Sequence, residues 1–231
     1  MKIIWLGHSG FRIETGGLVI LFDPWLTGNP MFPPQRRADA IRGATHIFVT
    51  HGHSDHTGDA VAISKELGIP VHGIYDLMTW WGESEQIEVV GFNKGGTIDL
   101  GPVQVTMLNA THSSSLGNGR NGPIYGGHES GFMIAAEGHV IYMSGDTDVM
   151  ADMGVFNDLH HPDIGILASG GFFTMDMRRA AYAARTFFDF KTVIPCHYRT
   201  FPLLAQSAKE LTEALPGVDV IEPEVLEAIE I

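Results

Sequence analysis

Apolar positions along the chain fall first into short runs with the two-residue period of strands. Ile3–Leu6 leads into the turn Gly7-His8-Ser9-Gly10, Phe11–Glu14 follows, Gly16-Gly17 reverses the chain, and Leu18–Phe22 returns to Asp23-Pro24-Trp25. The stretch 26–42 is Pro-rich, irregular and too long for a simple connector, which makes it a candidate binding loop. His46–Thr50 is β-branched and apolar enough for a buried strand. Asp59–Leu67 has helical spacing and is stopped by Gly68-Ile69-Pro70. Val71–Ile74, Ile87–Val90, Thr97–Leu100 and Val103–Leu108 are predicted strands, and Asn109–Gly127, rich in Gly and Ser, is predicted loop. Glu129–Ala136 and His139–Met143 form a predicted hairpin around Glu137-Gly138.

The last third alternates differently. Ile164–Ala168 and Thr192–Pro195 are predicted buried strands with a helix at Asp176–Phe188 between them. A helix at Leu203–Leu215 and a strand at Val218–Glu222 follow. No linker-like stretch divides the chain and no residue-level repeat is present. The expectation is one domain over residues 1–231, of α+β class, built as a sandwich of sheets with helices outside. Trp80-Trp81 is expected to pack a helix onto a sheet or to join a homo-oligomer interface.

Composition changes the picture in three places. The 44% hydrophobic content and 18% charged content suffice for a large core and exclude disorder. A formal charge of −13 repels phosphate backbones, so nucleic acid and anionic membrane are excluded as bulk partners. A small anionic substrate is not, because a bound metal dominates its local field. Cys196 is the single cysteine, which fits a reducing compartment. With no signal-like N-terminal segment and no membrane span, the expected location is cytoplasmic.

Chemistry concentrates in His51-Gly52-His53-Ser54-Asp55-His56, directly after a predicted strand and directly before a predicted helix. Four donors in six residues need a sharply turning loop, and imidazole with carboxylate suits zinc, manganese or iron. A solvated polar loop with incidental histidines is the plainer alternative, and this density argues against it. His112, Asp146 and His197 each follow the end of another predicted strand, where a sheet can hold a ligand rigidly. Taken singly, each is equally well a capping aspartate or a partly exposed histidine.

Together these segments resemble the metallo-β-lactamase superfamily, whose signature is His-x-His-x-Asp-His followed by a His, an Asp and a His. Trp5–Phe11, Asp23-Pro24-Trp25, Gly145-Asp146-Thr147 and Pro195–Phe201 further resemble a group of largely uncharacterised metal-dependent hydrolases. That group is related to ascorbate-6-phosphate lactonase and to N-acyl-phosphatidylethanolamine phospholipase D. The resemblance implies a four-layer αββα sandwich and two divalent ions, zinc or manganese first and iron as an alternative. His51, His53 and His112 would hold one ion, Asp55, His56 and His197 the other, and Asp146 would bridge them. It implies a metal-activated hydroxide attacking a small ester, lactone or phosphodiester, with Asp55 doubling as proton acceptor. Aspartate at 146, where the best-known lactamases carry cysteine, argues against antibiotic hydrolysis. Histidine at 53 argues against a flavin-coupled di-iron reductase. A mononuclear iron oxygenase keeps the same motif, and a non-catalytic metal-binding module is the alternative outside enzymes.

Around this set, His8 is a candidate beside the metals or a buried hydrogen-bonded residue, and Asp23 a candidate to orient a ligand histidine. Arg120 is a candidate clamp for an anionic substrate, and Tyr198 and Arg199 are candidate substrate contacts. Trp25, Met31, Phe32, Phe172 and Phe173 are candidates for an apolar wall.

Overall fold

The period-two runs become strands because each can turn one side onto a second sheet and bury it. In the computed structural model, which describes residues 1–117 and 123–231, the first strands are β1 (Lys2–Gly7), β2 (Gly10–Thr15), β3 (Leu18–Phe22), β4 (His46–Phe48), β5 (Val71–Ile74) and β6 (Val89–Phe92). β7 (Thr97–Asp99) and β8 (Val103–Asn109) open the second sheet. β9 (Ser115–Leu116) and β10 (Ile124–Tyr125) pair only with each other. The second sheet continues with β11 (Ser130–Ala136), β12 (His139–Met143), β13 (Ile164–Ala168), β14 (Thr192–Cys196) and β15 (Asp219–Val220). The last strand, β16 (Ala228–Glu230), returns to pair with β1. Each large sheet has seven strands, in the orders β16-β1-β2-β3-β4-β5-β6 and β15-β14-β13-β12-β11-β8-β7.

Helices cover the outer faces. α1 (Arg37–Ile41), α2 (Ser54–Thr57), α3 (Ala60–Leu67) and α4 (Tyr75–Ser84) lie in the first half, with α3 and α4 against the first sheet. α5 (Asp152–His160), α6 (Met177–Phe187) and α7 (Lys209–Ala214) lie in the second half, with α6 and α7 against the second sheet. The result is the expected αββα sandwich. α6 shows why a helix forms there: Met177, Ala180, Ala181, Ala183 and Ala184 are buried along one side, and the Asp176 carboxylate accepts the Arg179 backbone N–H at 2.8 Å as N-cap. No helix among the described residues is long and apolar enough to cross a membrane.

Between the sheets, Phe22 and Phe48 from the first meet Phe132 from the second, with ring centroids 6.0 and 5.6 Å apart. Each such ring contributes roughly 1.5–3 kcal/mol by leaving water. One polar group intrudes beside them. His72 stacks on Phe48 at 4.4 Å with both ring nitrogens buried and unpartnered among the described residues, and burial pushes its pKa down to about 3.

Three expectations are corrected. The stretch 109–127 contains the small antiparallel β9–β10 pair, matching Ile124 with Leu116 and Tyr125 with Ser115. The expected helix at 203–215 shrinks to Lys209–Ala214, because the preceding backbone is spent on tertiary bonds: Ala205 N–H reaches Gly170 O, and Arg199 N–H reaches Ala205 O. The strand expected at 87–90 shifts to Val89–Phe92, where it pairs with β5.

Strand direction positions the site. β1 and β3 both run antiparallel to β2, and β4 is parallel to β3, so their C-terminal ends share one edge. β8 and β12 both run antiparallel to β11, and β13 and β14 are parallel to β12, so the second sheet does the same. Loops leaving those ends converge on one crevice, as at the carboxyl ends of other α/β sheets.

Candidate metal centre

His51–His56 leaves the end of β4, with His112 after β8, Asp146 after β12 and His197 after β14. His8, Asp23 and His197 adopt left-handed φ of 55°, 45° and 54°, a conformation costing a non-glycine residue about 1–2 kcal/mol. Three such residues at one edge mark a place where packing enforces side-chain direction. Gly170 helps to set it: a Cβ there would fall on the carbonyl oxygen of His197.

The ligand-type atoms gather in overlapping groups. One donor atom from each of His51, His53 and His112 lies within 4.8 Å of the others, and the same holds for His8, Asp55, His56 and His197. A third group, His51, His56 and Asp146, overlaps both. Asp146 Oδ2 stands at the junction, 3.0 Å from His197 Nε2, 3.3 Å from His56 Nε2 and 3.5 Å from His112 Nε2. Sequence reasoning grouped His51, His53, Asp55, His56, His112, Asp146 and His197, and the fold brings all of them to this crevice.

Hydrogen bonds behind the cluster settle which nitrogens face it. Asp23 accepts the Thr50 N–H and Thr50 hydroxyl at 2.7 Å each and the His56 Nδ1–H at 2.8 Å. With its proton given to Asp23, the Thr50 hydroxyl accepts from His51 Nδ1–H at 2.9 Å. Both histidines therefore carry their proton on Nδ1 and turn Nε2 inward. On the other side, Asp55 Oδ2 accepts from His8 Nε2 at 3.0 Å, leaving His8 Nδ1 to accept the Thr200 hydroxyl at 2.8 Å. Thr50 and Thr200 were missed in the sequence, although Thr50 directly precedes the histidine motif. His8 and Asp23 lie where they were expected, against these ligand-type residues.

Electrostatics separates the histidines. Burial holds His51 well below its ordinary pKa and lowers His53 and His112, so they present neutral imidazoles. Burial alone would lower His56 as well, but Asp146 and Asp23 raise it well above the ordinary value. Asp146 is correspondingly held low, because His197 and His56 outweigh the cost of burial. Burial takes His8 down to about 4, against its bond to Asp55.

The residues fit a divalent cation. His51 Nε2 and His53 Nδ1 face each other at 3.0 Å, two lone-pair positions that need a proton or an ion between them. His56 Nε2 and Asp146 Oδ1 are buried without an aligned hydrogen-bond partner, although His56 Nε2 is close to Asp146 Oδ2. Nitrogen and carboxylate donors with no thiolate suit zinc, manganese and iron alike.

Other candidates fare differently. Tyr198, expected near substrate, is fully buried with its ring stacked on Trp5 at 5.6 Å, and burial raises its hydroxyl to about 12. Arg199 is turned to Glu224 at 3.3 Å and lies over the Trp5 and Tyr198 rings. Arg120 lies outside the described residues. Phe32 is buried elsewhere, and Met31 packs its sulfur 3.3 Å from the Thr200 hydroxyl. Trp25 and Phe173 do line the crevice, together with Phe201.

A family model described as the beta-lactamase superfamily domain matches residues 19–198. The chain belongs to the beta-lactamase superfamily. Among the superfamily's curated members it is 70% identical, over the whole of both chains, to a UPF0173 metal-dependent hydrolase of Dinoroseobacter shibae. It is 67% identical to a counterpart in Paracoccus denitrificans over 99% of each. Among solved structures, Igni18, a metallo hydrolase from Ignicoccus hospitalis, superposes with a TM-score of 0.85 at 28% identity, covering 99% of this chain and 97% of that one. These relatives are described as metal-dependent hydrolases, and the buried histidine–carboxylate cluster supplies the donors such dependence requires.

The Asp23 bond gives a direct check. Asp23→Asn presents an amide N–H to His56 Nδ1 and drives the imidazole proton onto Nε2, the atom facing Asp146. Divalent-metal affinity is expected to fall about 10–100-fold, measured by competition with a chromogenic chelator. Unchanged affinity would remove His56 Nε2 from the ligand set.

Proposed function

We propose that this chain is a metal-dependent hydrolase acting on a small ester, lactone or phosphodiester. In this reading His51, His53 and His112 hold one divalent ion and Asp55, His56 and His197 a second, with Asp146 between them. The observation that carries it is the placement of the buried Asp146 Oδ2 within 3.0–3.5 Å of three inward imidazole nitrogens from both groups. When bound, the metals supply Lewis-acid activation of water and of the substrate's oxygen.

The protein residues do the rest. Thr50 and Asp23 fix the ligand nitrogens of His51 and His56 before any metal arrives. His8 holds Asp55 by a single oxygen, so the carboxylate stays oriented while its second oxygen is available to accept a proton. His8 and His56 draw Asp55 below the ordinary carboxylate range against the cost of burial, which keeps it ionised and able to hold a cation. The crevice beside them, about 430 Å³ and bordered by Trp25, Ser54, Ser113, Phe173 and Phe201, is of a size for a small molecule.

The test is hydrolysis of matched lactone, carboxylic ester and phosphodiester panels by zinc- and manganese-loaded protein. Turnover lost in a His51→Ala/His53→Ala variant that keeps its fold is the expected result. No turnover of any panel member with metal bound would reject the hydrolase reading, and oxygen consumption by the iron-loaded protein would replace it.

A further inference from the structure

The wall of the crevice is more selective than its metal residues. Trp25 and Phe201 lie 6.1 Å apart, and their rings contact that of His8 at 5.4 and 5.6 Å. Phe173 stands edge-on to His197 at 6.4 Å on the loop after β13. Phe173 remains 48% exposed and its neighbour Phe172 78% exposed. Apolar area held open beside a reactive centre contributes nothing to the fold and gains free energy only when a ligand covers it.

The charged groups on this wall are Asp55 and Asp146, and no lysine or arginine lines it among the described residues. Arg199, adjacent in sequence to the site, is committed to Glu224. Further off, Arg37 pairs with Glu66 and Arg179 with Asp148. The metals can meet charge at the reacting centre itself, but permanent negative charge on a group lying against this wall would face Asp55 and the aromatic rings with no guanidinium fork beside it among the described residues. An ester carbonyl brings none until the reaction develops it, and the metals then suffice.

Resting on the hydrolase reading, we propose that the substrate is an uncharged ester or lactone bearing an aryl or branched alkyl group, and that Trp25, Phe173 and Phe201 select it. The apolar group lies among the three rings while the carbonyl faces the cluster beside Asp55. Ser54 and Ser113 are the uncharged polar groups at the same wall that accommodate the remaining polar atoms.

Two measurements on the metal-loaded protein test this. The first compares kcat/KM for a phenylacetyl ester, an acetyl ester of the same alcohol, a ring-carboxylated phenylacetyl ester and a diaryl phosphodiester. The phenylacetyl ester is expected to lead each of the others by about tenfold or more, since a few apolar carbons in such a pocket are worth 10–200-fold. Phe173→Ala, a half-exposed position whose loss leaves the core intact, is expected to shrink the phenylacetyl-to-acetyl ratio several-fold, and Phe201→Ala to shrink it likewise. The second measures binding of phenylacetone, a neutral ketone that cannot be hydrolysed, against phenylacetate by calorimetry. Tighter ketone binding, weakened several-fold by Phe173→Ala, supports the proposal. Preference for the carboxylated ester or the phosphodiester, lost in Arg120→Ala, overturns it and leaves the hydrolase reading standing. Silence of every carboxylic ester and of the phosphodiester with metal bound removes the hydrolase reading, and failure of the ketone to bind removes this one separately.

Discussion

Replacing Asp146 with alanine is expected to lower turnover by about a thousandfold or more and to lower bound metal per chain, with the fold retained. The carboxylate stands at the junction of the two histidine groups, and its Oδ1 has no hydrogen-bond partner to lose among the described residues. In the proposed two-ion reading Asp146 would serve both ions, so its loss would weaken the hold on each, and activation by a metal pair would depend on both. His56 would also lose the larger of the two charges that raise its pKa, so it becomes neutral more readily. Metal analysis and steady-state kinetics on the same sample decide the matter. Lost turnover with full metal content would move Asp146 from bridge to proton transfer, and full retention of both would reject the assignment.

The second large effect concerns acid stability and lies away from the metals. His72 has a pKa near 6.5 when unfolded and about 3 when folded, so in that window the unfolded chain binds a proton the folded chain refuses. Stability then rises with pH and is lost on acidification from about pH 6.5 downward, at up to about 1.4 kcal/mol per pH unit. His46, 5.3 Å away and itself lowered by burial, adds in the same direction, while Glu88 pulls it the other way. His72→Leu should flatten this part of the profile. Urea unfolding of both proteins at pH 7 and pH 5 should show the variant losing about 2 kcal/mol less than the parent between the two. Because neither His72 ring nitrogen has a partner, leucine leaves nothing unsatisfied in exchange. Equal losses in the two proteins would show that His72 reaches water or a partner at acid pH.

How much could be read from residues alone follows from range. The histidine motif carries its own signal in six consecutive positions, and His112, Asp146 and His197 were readable because each sits where a strong strand pattern stops. The supports were harder to see. Thr200 matters because β14 ends beside β1, which lets its hydroxyl meet a histidine 192 positions away. Tyr198 looked like a site residue by adjacency, yet the left-handed turn at His197 sends the next ring onto Trp5. The strand at Ala228–Glu230 is short and half-exposed, so only its pairing with β1 defines it. The helix at Lys209–Ala214 was overextended because local spacing competes poorly with the tertiary bonds of Arg199 and Ala205.

Because His8, Asp23 and the 51–56 segment come from one sheet and His112, Asp146 and His197 from the other, any ion they share is a rivet through the seam of the sandwich. On the proposed ligand set, ligands from both sides must be in register before the ion binds well, so metal uptake and closure of the seam are a single equilibrium. Each tenfold rise in free metal above its dissociation constant then adds about 1.4 kcal/mol to the folded state. The melting temperature of such a protein is a gauge of metal supply: starvation would loosen the seam and lower catalysis together.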